Sequence, residues 1–531
     1  MMGADAEDHY VARMQEVYDG HPALGNVFLS EKNQPSIIPS LGEESIAYAG
    51  KALGMSAVDV NIFSKFLLPA LVALLVYLFV YLLSESVASS VIASSFAVLG
   101  DTLLSGASAW RALVQIGMPS GAFLAYSRPI NPEVTGLFLF ATLFVLYRAF
   151  FRHKKVQVWE FILVGVLVGA SAYVSPYTFT FLVVCIACAG AWFLYRREYG
   201  LFISACSSGL VAGLVIVPFL FNYVQLRASP LYAETAVRFG VVSGHGFVLS
   251  MWLVLLLVGV LFAWPTRFRE ARPFLLCMIG ALWILTEQQV ITGVQIQSSH
   301  YHWYITKPLA GIVLSLYAVW GIERMVSVRW MRIGAYTLIL GVLLYNAALI
   351  QRYSYRIGVD AATSAQDYAP VLRYLTSIST RESVWGDVLM SSYIPVYTAH
   401  DAPNNEYAQY YLVRNEYLVR RLLLTYRLRG ISSNSILAQI KTDRVIFAKD
   451  VYGLYWRDQY GSYESIPDSL LENFAQQYRD LSTTSTERMM QDMGITTVVW
   501  DRIAEPSWHL ENTGFLTESY TDGRFSVYRL Q

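Results

Sequence analysis

The residues best suited to chemistry fall into a few short polar runs set among long apolar ones. The first run, AEDHYVARMQEVYDGHPALGN, opens with three carboxylates, Asp5, Glu7 and Asp8. A second, SRPINPE, places Arg128 and Glu133 five residues apart, and a third, SSHYHWYITK, carries His300, His302 and Lys307. Glu287 stands alone in ILTEQQVITG. Side chains of these types exchange protons and pair with charged groups, and at a membrane edge they are costly unless they face a cavity or one another. Several of them converging on one side therefore imply a site open to that leaflet.

Each run also has a plainer reading. Asp5, Glu7 and Asp8 suit a helix start, with Asp5 as N-cap and Asp8 at its third position, through capping and the helix dipole. Arg128, between Tyr126 and two prolines, would anchor a loop to lipid headgroups. His300 and His302 could hold a metal as a pair or belong to an interfacial aromatic cluster. Cys185 and Cys188 have C-x-x-C spacing, but inside a strongly apolar stretch they read as helix packing. Glu287, near the end of an apolar segment, needs a partner.

The elements that must position these groups are membrane helices. Of 531 residues, 55% are hydrophobic and only 15% charged, with a mean hydropathy of +0.40. A soluble domain has about 25% charged residues, so a soluble enzyme is excluded. Lys and Arg total 39, as do Asp and Glu, and this balance lacks the basic footprint of a nucleic-acid binder. A bilayer core about 30 Å thick requires roughly 20 apolar residues per helix. Ten stretches qualify: Asn61 to Leu83, Val87 to Leu104, Val134 to Phe151, Val156 to Val174, Tyr177 to Tyr195, Leu201 to Phe221, Gly246 to Trp264, Pro273 to Thr292, Ile305 to Ile322 and Ile333 to Ile350. The second is the weakest, because four serines and Asp101 interrupt it.

Positive charge in the short connections orients such a bundle, since Lys and Arg stay cytoplasmic. Twelve of them (Arg148, Arg152, Lys154, Lys155, Arg196, Arg197, Arg267, Arg269, Arg272, Arg324, Arg329 and Arg332) lie in alternate connections, against four (Arg111, Arg128, Arg227 and Arg238) in the others. Threading by this rule puts residues 1–60 and 351–531 outside the cytoplasm, together with seven of the eight histidines. No apolar segment precedes the acidic first loop, so a preceding transmembrane helix is expected to be missing from this chain.

Three regions follow: 1–60, an extracytoplasmic loop with short amphipathic helices over residues 4–19 and 42–53; 61–350, the transmembrane part; and 351–531, an extracytoplasmic α/β domain. In the last, Tyr368 to Ser377 reads as helix and Ser383 to Trp385, Ile394 to Thr398, Thr496 to Trp500 and Phe525 to Arg529 as strands, with a turn at Thr521-Asp522-Gly523-Arg524. The fold class is thus a polytopic α-helical membrane protein of about ten spans with a carboxyl-terminal α/β domain.

The order of these features resembles the GT-C superfamily of membrane glycosyltransferases, which includes oligosaccharyltransferase catalytic subunits, protein mannosyltransferases and aminoarabinose lipid A transferases. The layout is similar over the whole chain, the sequence over the first loop only. The resemblance implies transfer of a sugar from a polyprenyl-phosphate donor to a glycan, lipid or protein acceptor on the outer face of the plasma membrane, among membrane lipids and without nucleic acid. It makes Asp8 the catalytic carboxylate, with Asp5 and Glu7 as neighbouring alternatives. Arg128, His300, His302 or Lys307 would hold the donor phosphate, and Glu133 or Glu287 would supply a second acid. No D-x-D or E-x-D pair stands near Glu133, so no cofactor is assigned and a divalent metal, Mg²⁺ or Mn²⁺, stays an alternative. In an inverting transfer one carboxylate suffices as base, because the departing phosphate needs charge stabilisation more than a proton. A transporter or flippase of lipid-linked glycans, or a non-catalytic relative on the same scaffold, is the competing reading.

Overall fold

A computed structural model describes residues 7–115, 123–152, 156–262, 265–481 and 484–531. Asp5, proposed as a cap and as an alternative catalytic acid, lies outside the described residues, as do Lys154 and Lys155 of the basic connections.

Six helices are long and apolar enough to cross a membrane: Ala57–Ser84, Glu133–Arg152, Pro176–Tyr195, Phe268–Thr292, Ser299–Met325 and Arg329–Thr376. A seventh span is formed if the pair Tyr199–Val215 and Val217–Ala228, bent by 53°, counts as one. The bend falls where Pro218 removes a backbone donor. Three of the ten expected stretches form apolar helices of only 13, 14 and 12 residues, Val87–Leu99, Val158–Ser171 and Met251–Phe262. At 1.5 Å per residue these reach about 20 Å, short of the hydrocarbon thickness, so the expectation of ten spans is not established. Local chemistry shortens them. Gly100 closes Val87–Leu99, and a 3₁₀ turn, Asp101–Ser105, follows it, while a capping box of Gln157 and Glu160 sets the start of Val158–Ser171.

The bundle packs tightly where side chains are small. A Cβ on Gly165 would lie 2.6 Å from the Ser208 carbonyl and one on Gly169 2.6 Å from Val215, so this G-x-x-x-G face lets the two helices approach closely. At one end of the bundle Arg152 bridges Glu85 and Glu270, the latter at 3.2 Å, which gathers three connections together. The last span does not stop at Ile350. Helix Arg329–Ala365 continues unbroken into the carboxyl-terminal region.

That region holds a four-stranded sheet, in the order β3-β4-β6-β5, from β3 (Val384–Trp385), β4 (Thr497–Asp501), β5 (Leu516–Thr521) and β6 (Phe525–Leu530). The β3–β4 pair is parallel and the other two antiparallel; the turn after Thr521 joins β6 not to β4, as the sequence reading has it, but to β5, a strand which that reading lacks. One expected strand, Ile394 to Thr398, is instead the end of helix Val388–Tyr397. Asp387 caps it, accepting from the amides of Leu389 (2.8 Å) and Met390 (3.1 Å), and Met390 and Ile394 bury one turn apart. Helical spacing and a cap outweigh the β-branched run. A second, two-stranded ribbon pairs β1 (Val241–Ser243) with β2 (Val294–Ile296).

The amino-terminal segment joins bundle and domain. Its first helix, Glu7–Tyr18, ends before Gly20, whose φ of +96° suits glycine, and a second, Leu41–Ala52, follows the proline-broken stretch. Val11, Met14 and Phe28 share one core with Ile130 and Val134 of the bundle and Val396 and Tyr411 of the domain. Arg13, fully buried, pairs with Glu43 at 2.6 Å and donates to the Pro39 carbonyl and the Tyr411 hydroxyl. Lys32 bridges Glu16 and Asp401, both at 2.8 Å, and Arg381 binds the same two carboxylates.

Candidate functional site

A cavity of about 580 Å³ opens where the amino-terminal helix, the bundle and the carboxyl-terminal domain meet. The amino-terminal helix contributes His9 and Tyr10. His9 is buried, its ring stacked on Tyr407 with centroids 4.8 Å apart and its Nε2 3.0 Å from the Tyr411 hydroxyl. Burial, reinforced by the nearby charges of Arg13 and Arg128, holds its pKa well below the usual histidine range, so the ring is neutral.

The turn after the short second helix contributes Asp101, Thr102 and Ser105. Asp101 is 8% exposed, and its Oδ1 is buried without a hydrogen-bond partner among the described residues. Lys307 lies within electrostatic reach of it, donates to the Ser105 hydroxyl at 2.8 Å and stands 3.5 Å from the centroid of the Trp303 ring. Phe123, Ala125, Arg128 and Pro132 come from the next loop. Arg128 donates to the carbonyl of Asn131 at 2.7 Å and to the Tyr304 hydroxyl at 3.0 Å, and lies 5.4 Å from the Tyr10 ring centroid.

The β1–β2 ribbon delivers Phe239 before one strand and Gln297, Ser299 and His300 after the other. His300 stacks on Tyr177, with centroids 4.5 Å apart and planes within 9°, and its Nδ1 is buried without a partner. Trp303 and Tyr304 complete this wall. The domain adds Tyr407, Tyr410, Leu454 and Arg457. The result is an aromatic cavity with two guanidinium groups, two imidazoles and one carboxylate. Such a lining can bind an oxyanion through charge-assisted bonds, hold planar or ring-shaped groups against aromatic faces, and exchange a proton at Asp101.

The structure brings together Arg128 and His300 of the sequence-predicted set, with Lys307 one contact behind the wall. The others lie apart from the cavity surface. Asp8 points toward the domain, where it bonds Ser392; burial, with a smaller push from Glu406, raises its pKa above the ordinary carboxylate range. Glu7 binds Lys65, and accepts from Asn61 at 2.9 Å, at the start of the first span. Glu133 is fully buried beside Ser64, with Oε1 unpartnered. His302 stands edge-on to Trp303. Glu287 accepts from the Val248 amide at 3.1 Å. Cys185 and Cys188 are free thiols inside helix Pro176–Tyr195.

Sequence reasoning passed over Asp101, Trp303, Tyr407, Tyr410 and Arg457. A carboxylate closing an apolar stretch was a signal for Asp101; nothing local distinguishes Tyr407 or Arg457. Among the described residues no group of three or more His, Cys, Asp or Glu is arranged to hold a metal ion. Asp101 is the one described carboxylate on the cavity wall, whereas Mg²⁺ and Ca²⁺ sites gather several oxygen ligands. The donor set thus suits an anion better than a divalent cation. No protein-family model matches the chain, and no curated protein matches it in sequence.

Proposed function

We propose that the chain is a GT-C-like membrane glycosyltransferase that moves a sugar from a polyprenyl-phosphate donor to an acceptor at the outer face of the plasma membrane. The observation that carries this reading is the meeting of Arg128, His300 and Asp101 in one cavity at the junction of apolar bundle and polar domain. A donor with a greasy tail and an anionic head requires a site at that boundary. The orientation rests on the charge asymmetry of the connections, and it is supported by the clustering of Glu85, Arg152 and Glu270 in one place and of the cavity residues in another.

In this mechanism the acceptor hydroxyl oxygen bonds to the anomeric carbon as the bond from that carbon to the phosphate oxygen breaks. The electron pair leaves with the phosphate, whose charge Arg128 takes up. The hydroxyl proton passes to Asp101, the carboxylate on the wall, rather than to Asp8, whose side chain bonds Ser392. His9 and Tyr10 shape the pocket, and the aromatic lining excludes water that would otherwise hydrolyse the donor. Purified protein in vesicles, given polyprenyl-phosphate-linked labelled sugars and an acceptor panel, tests the proposal. Transfer that disappears in Arg128→Gln and Asp101→Asn supports it; absence of transfer with every donor and acceptor overturns it.

A further inference from the structure

Arg457 is the cation of this cavity that the carboxyl-terminal domain supplies, and its surroundings prepare it for a ligand. It lies on the short helix Tyr455–Tyr460, which is anchored at its start by a 2.8 Å bond from the Leu454 amide to the Arg238 carbonyl. Arg238 is itself fully buried and donates to the carbonyls of Gln409 and Val413, which ties this helix to the segment around Tyr411. Asp458 accepts from Nε of Arg457 at 2.8 Å. That carboxylate is fitted against Gly240, where a Cβ would lie 2.4 Å from its Oδ2. Arg457 lines the cavity with its side chain half exposed, and among the described residues its two terminal nitrogens have no protein acceptor. Arg457 and Arg128 both lie within electrostatic range of His300.

We propose that Arg457 is a second oxyanion-binding position of the cavity, separate from the one at Arg128, so that the bound substrates carry two anionic groups. A guanidinium held at Nε and free at both terminal nitrogens suits two-point binding of a phosphate or carboxylate. This rests on the glycosyltransferase reading for the nature of the ligands. The second anion has two sources: the outer phosphate of a diphosphate-linked donor, or an acidic group on the acceptor.

Binding and transfer are measured separately on the full chain in phosphatidylcholine vesicles. Tryptophan fluorescence follows binding of farnesyl monophosphate, farnesyl diphosphate, and oligosaccharides ending in glucose or in glucuronic acid. Arg457→Gln is expected to weaken farnesyl diphosphate or the glucuronic acid probe by about tenfold, while farnesyl monophosphate and the glucose probe change by less than about twofold. Selective loss of the diphosphate assigns the anion to the donor; selective loss of the glucuronide assigns it to the acceptor. Arg457→Lys should recover part of the loss, since charge remains and the two-point geometry goes. Equal binding of all four probes by wild type and Arg457→Gln overturns the proposal, as does an equal loss for all four, which would mark a structural role. Selective, Arg457-dependent binding without sugar transfer from either donor would remove the glycosyltransferase reading alone.

Discussion

The guanidinium of Arg128 donates to the hydroxyl of Tyr304 at 3.0 Å, which ties the loop before Glu133 to the start of helix Ser299–Met325, 176 residues away in the chain. Arg128 also reaches its own loop through the Asn131 carbonyl and lies against Tyr10 of the amino-terminal helix. Three separate segments therefore fix one cation at the cavity wall. A cation fixed in this way loses little freedom when it binds an anion, which favours a transition state over a loosely held ground state.

The first prediction follows from that fixation. Arg128→Lys keeps the charge but loses the planar fork, so turnover should fall by about tenfold, and Arg128→Gln by about 100-fold or more. Steady-state transfer assays on both variants check this. Tyr304→Phe removes only the tether and should cost less than Arg128→Lys; a larger loss would show that the hydroxyl itself acts in the reaction.

A second prediction concerns the buried pair of Arg13 and Glu43, whose side chains are 0% and 1% exposed. Removing one partner leaves the other charge buried and uncompensated, at a cost of about 3–5 kcal/mol. Glu43→Leu should therefore lower the melting temperature sharply and loosen the amino-terminal helix toward proteolysis. The double variant Arg13→Met with Glu43→Leu should recover much of the loss. Thermal unfolding of wild type and the two variants in detergent measures both effects.

Asp387 gives a pH dependence with a definite sign. Burial, opposed by the amides it caps, raises its pKa from 3.8 to about 6, and its side chain is 6% exposed. A carboxyl whose folded value is raised contributes stability below its unfolded pKa and loses it as the pH climbs through the folded value. Through this group the domain should lose about 2 kcal/mol between pH 4 and pH 6, and about 3 kcal/mol in all once the pH is well above 6. Asp387→Asn keeps an acceptor for the cap and has no charge to bury, so its stability should stay level over that interval. At pH 7 the variant should unfold at the higher temperature. Parallel pH series of melting curves decide it.

Much of the membrane architecture and part of the site were legible in the sequence. Arg128 and His300 stood out because ionisable groups at the margin of apolar segments need a reason to be there. The same reasoning applies to Asp101, but within an apolar stretch its charge reads as an interruption of a span, and only the fold shows that it faces a cavity. Hydropathy alone does not see that Gly100 closes a helix, or that Gln157 and Glu160 begin one, and so it lengthens Val87–Leu99 and Val158–Ser171 to full spans. Ile394 and Val396 carry strand propensity, but the cap at Asp387 determined a helix. Tyr407 and Arg457 reach the cavity only through the docking of the domain onto the amino-terminal helix, a long-range relation that no local pattern encodes.

The proposed orientation leads to a topological prediction. A reporter enzyme active only in the cytoplasm, fused after Gln531, should be silent, and one active only outside it should work, because twelve basic residues lie in the connections assigned to the cytoplasmic side and four in the others. The reverse pattern would invert the bundle and put the cavity on the cytoplasmic face.

The last prediction separates two carboxylates. Asp101 lines the cavity, where the backbone amides of Thr102 and Ala125 favour its carboxylate, whereas Asp8, one residue from His9, stands off the cavity wall and bonds Ser392 of the domain. If Asp101 receives the acceptor proton, Asp101→Asn keeps its shape and removes the base, and turnover should fall by about 100-fold or more with donor binding nearly unchanged. Asp8→Asn keeps a side chain able to bond Ser392, so transfer should stay within about threefold of wild type. Its raised pKa means that the ionised carboxyl is disfavoured by folding, so stability is lost as the pH rises from 3.8 through the folded value. The Asn variant should accordingly be at least as stable as wild type at neutral pH. Labelled-sugar transfer and melting temperature, measured on the same preparations, distinguish the outcomes. Loss of transfer in Asp8→Asn with Asp101→Asn active would return the catalytic role to the amino-terminal helix and would require Asp8 to turn from Ser392 toward the cavity during the reaction.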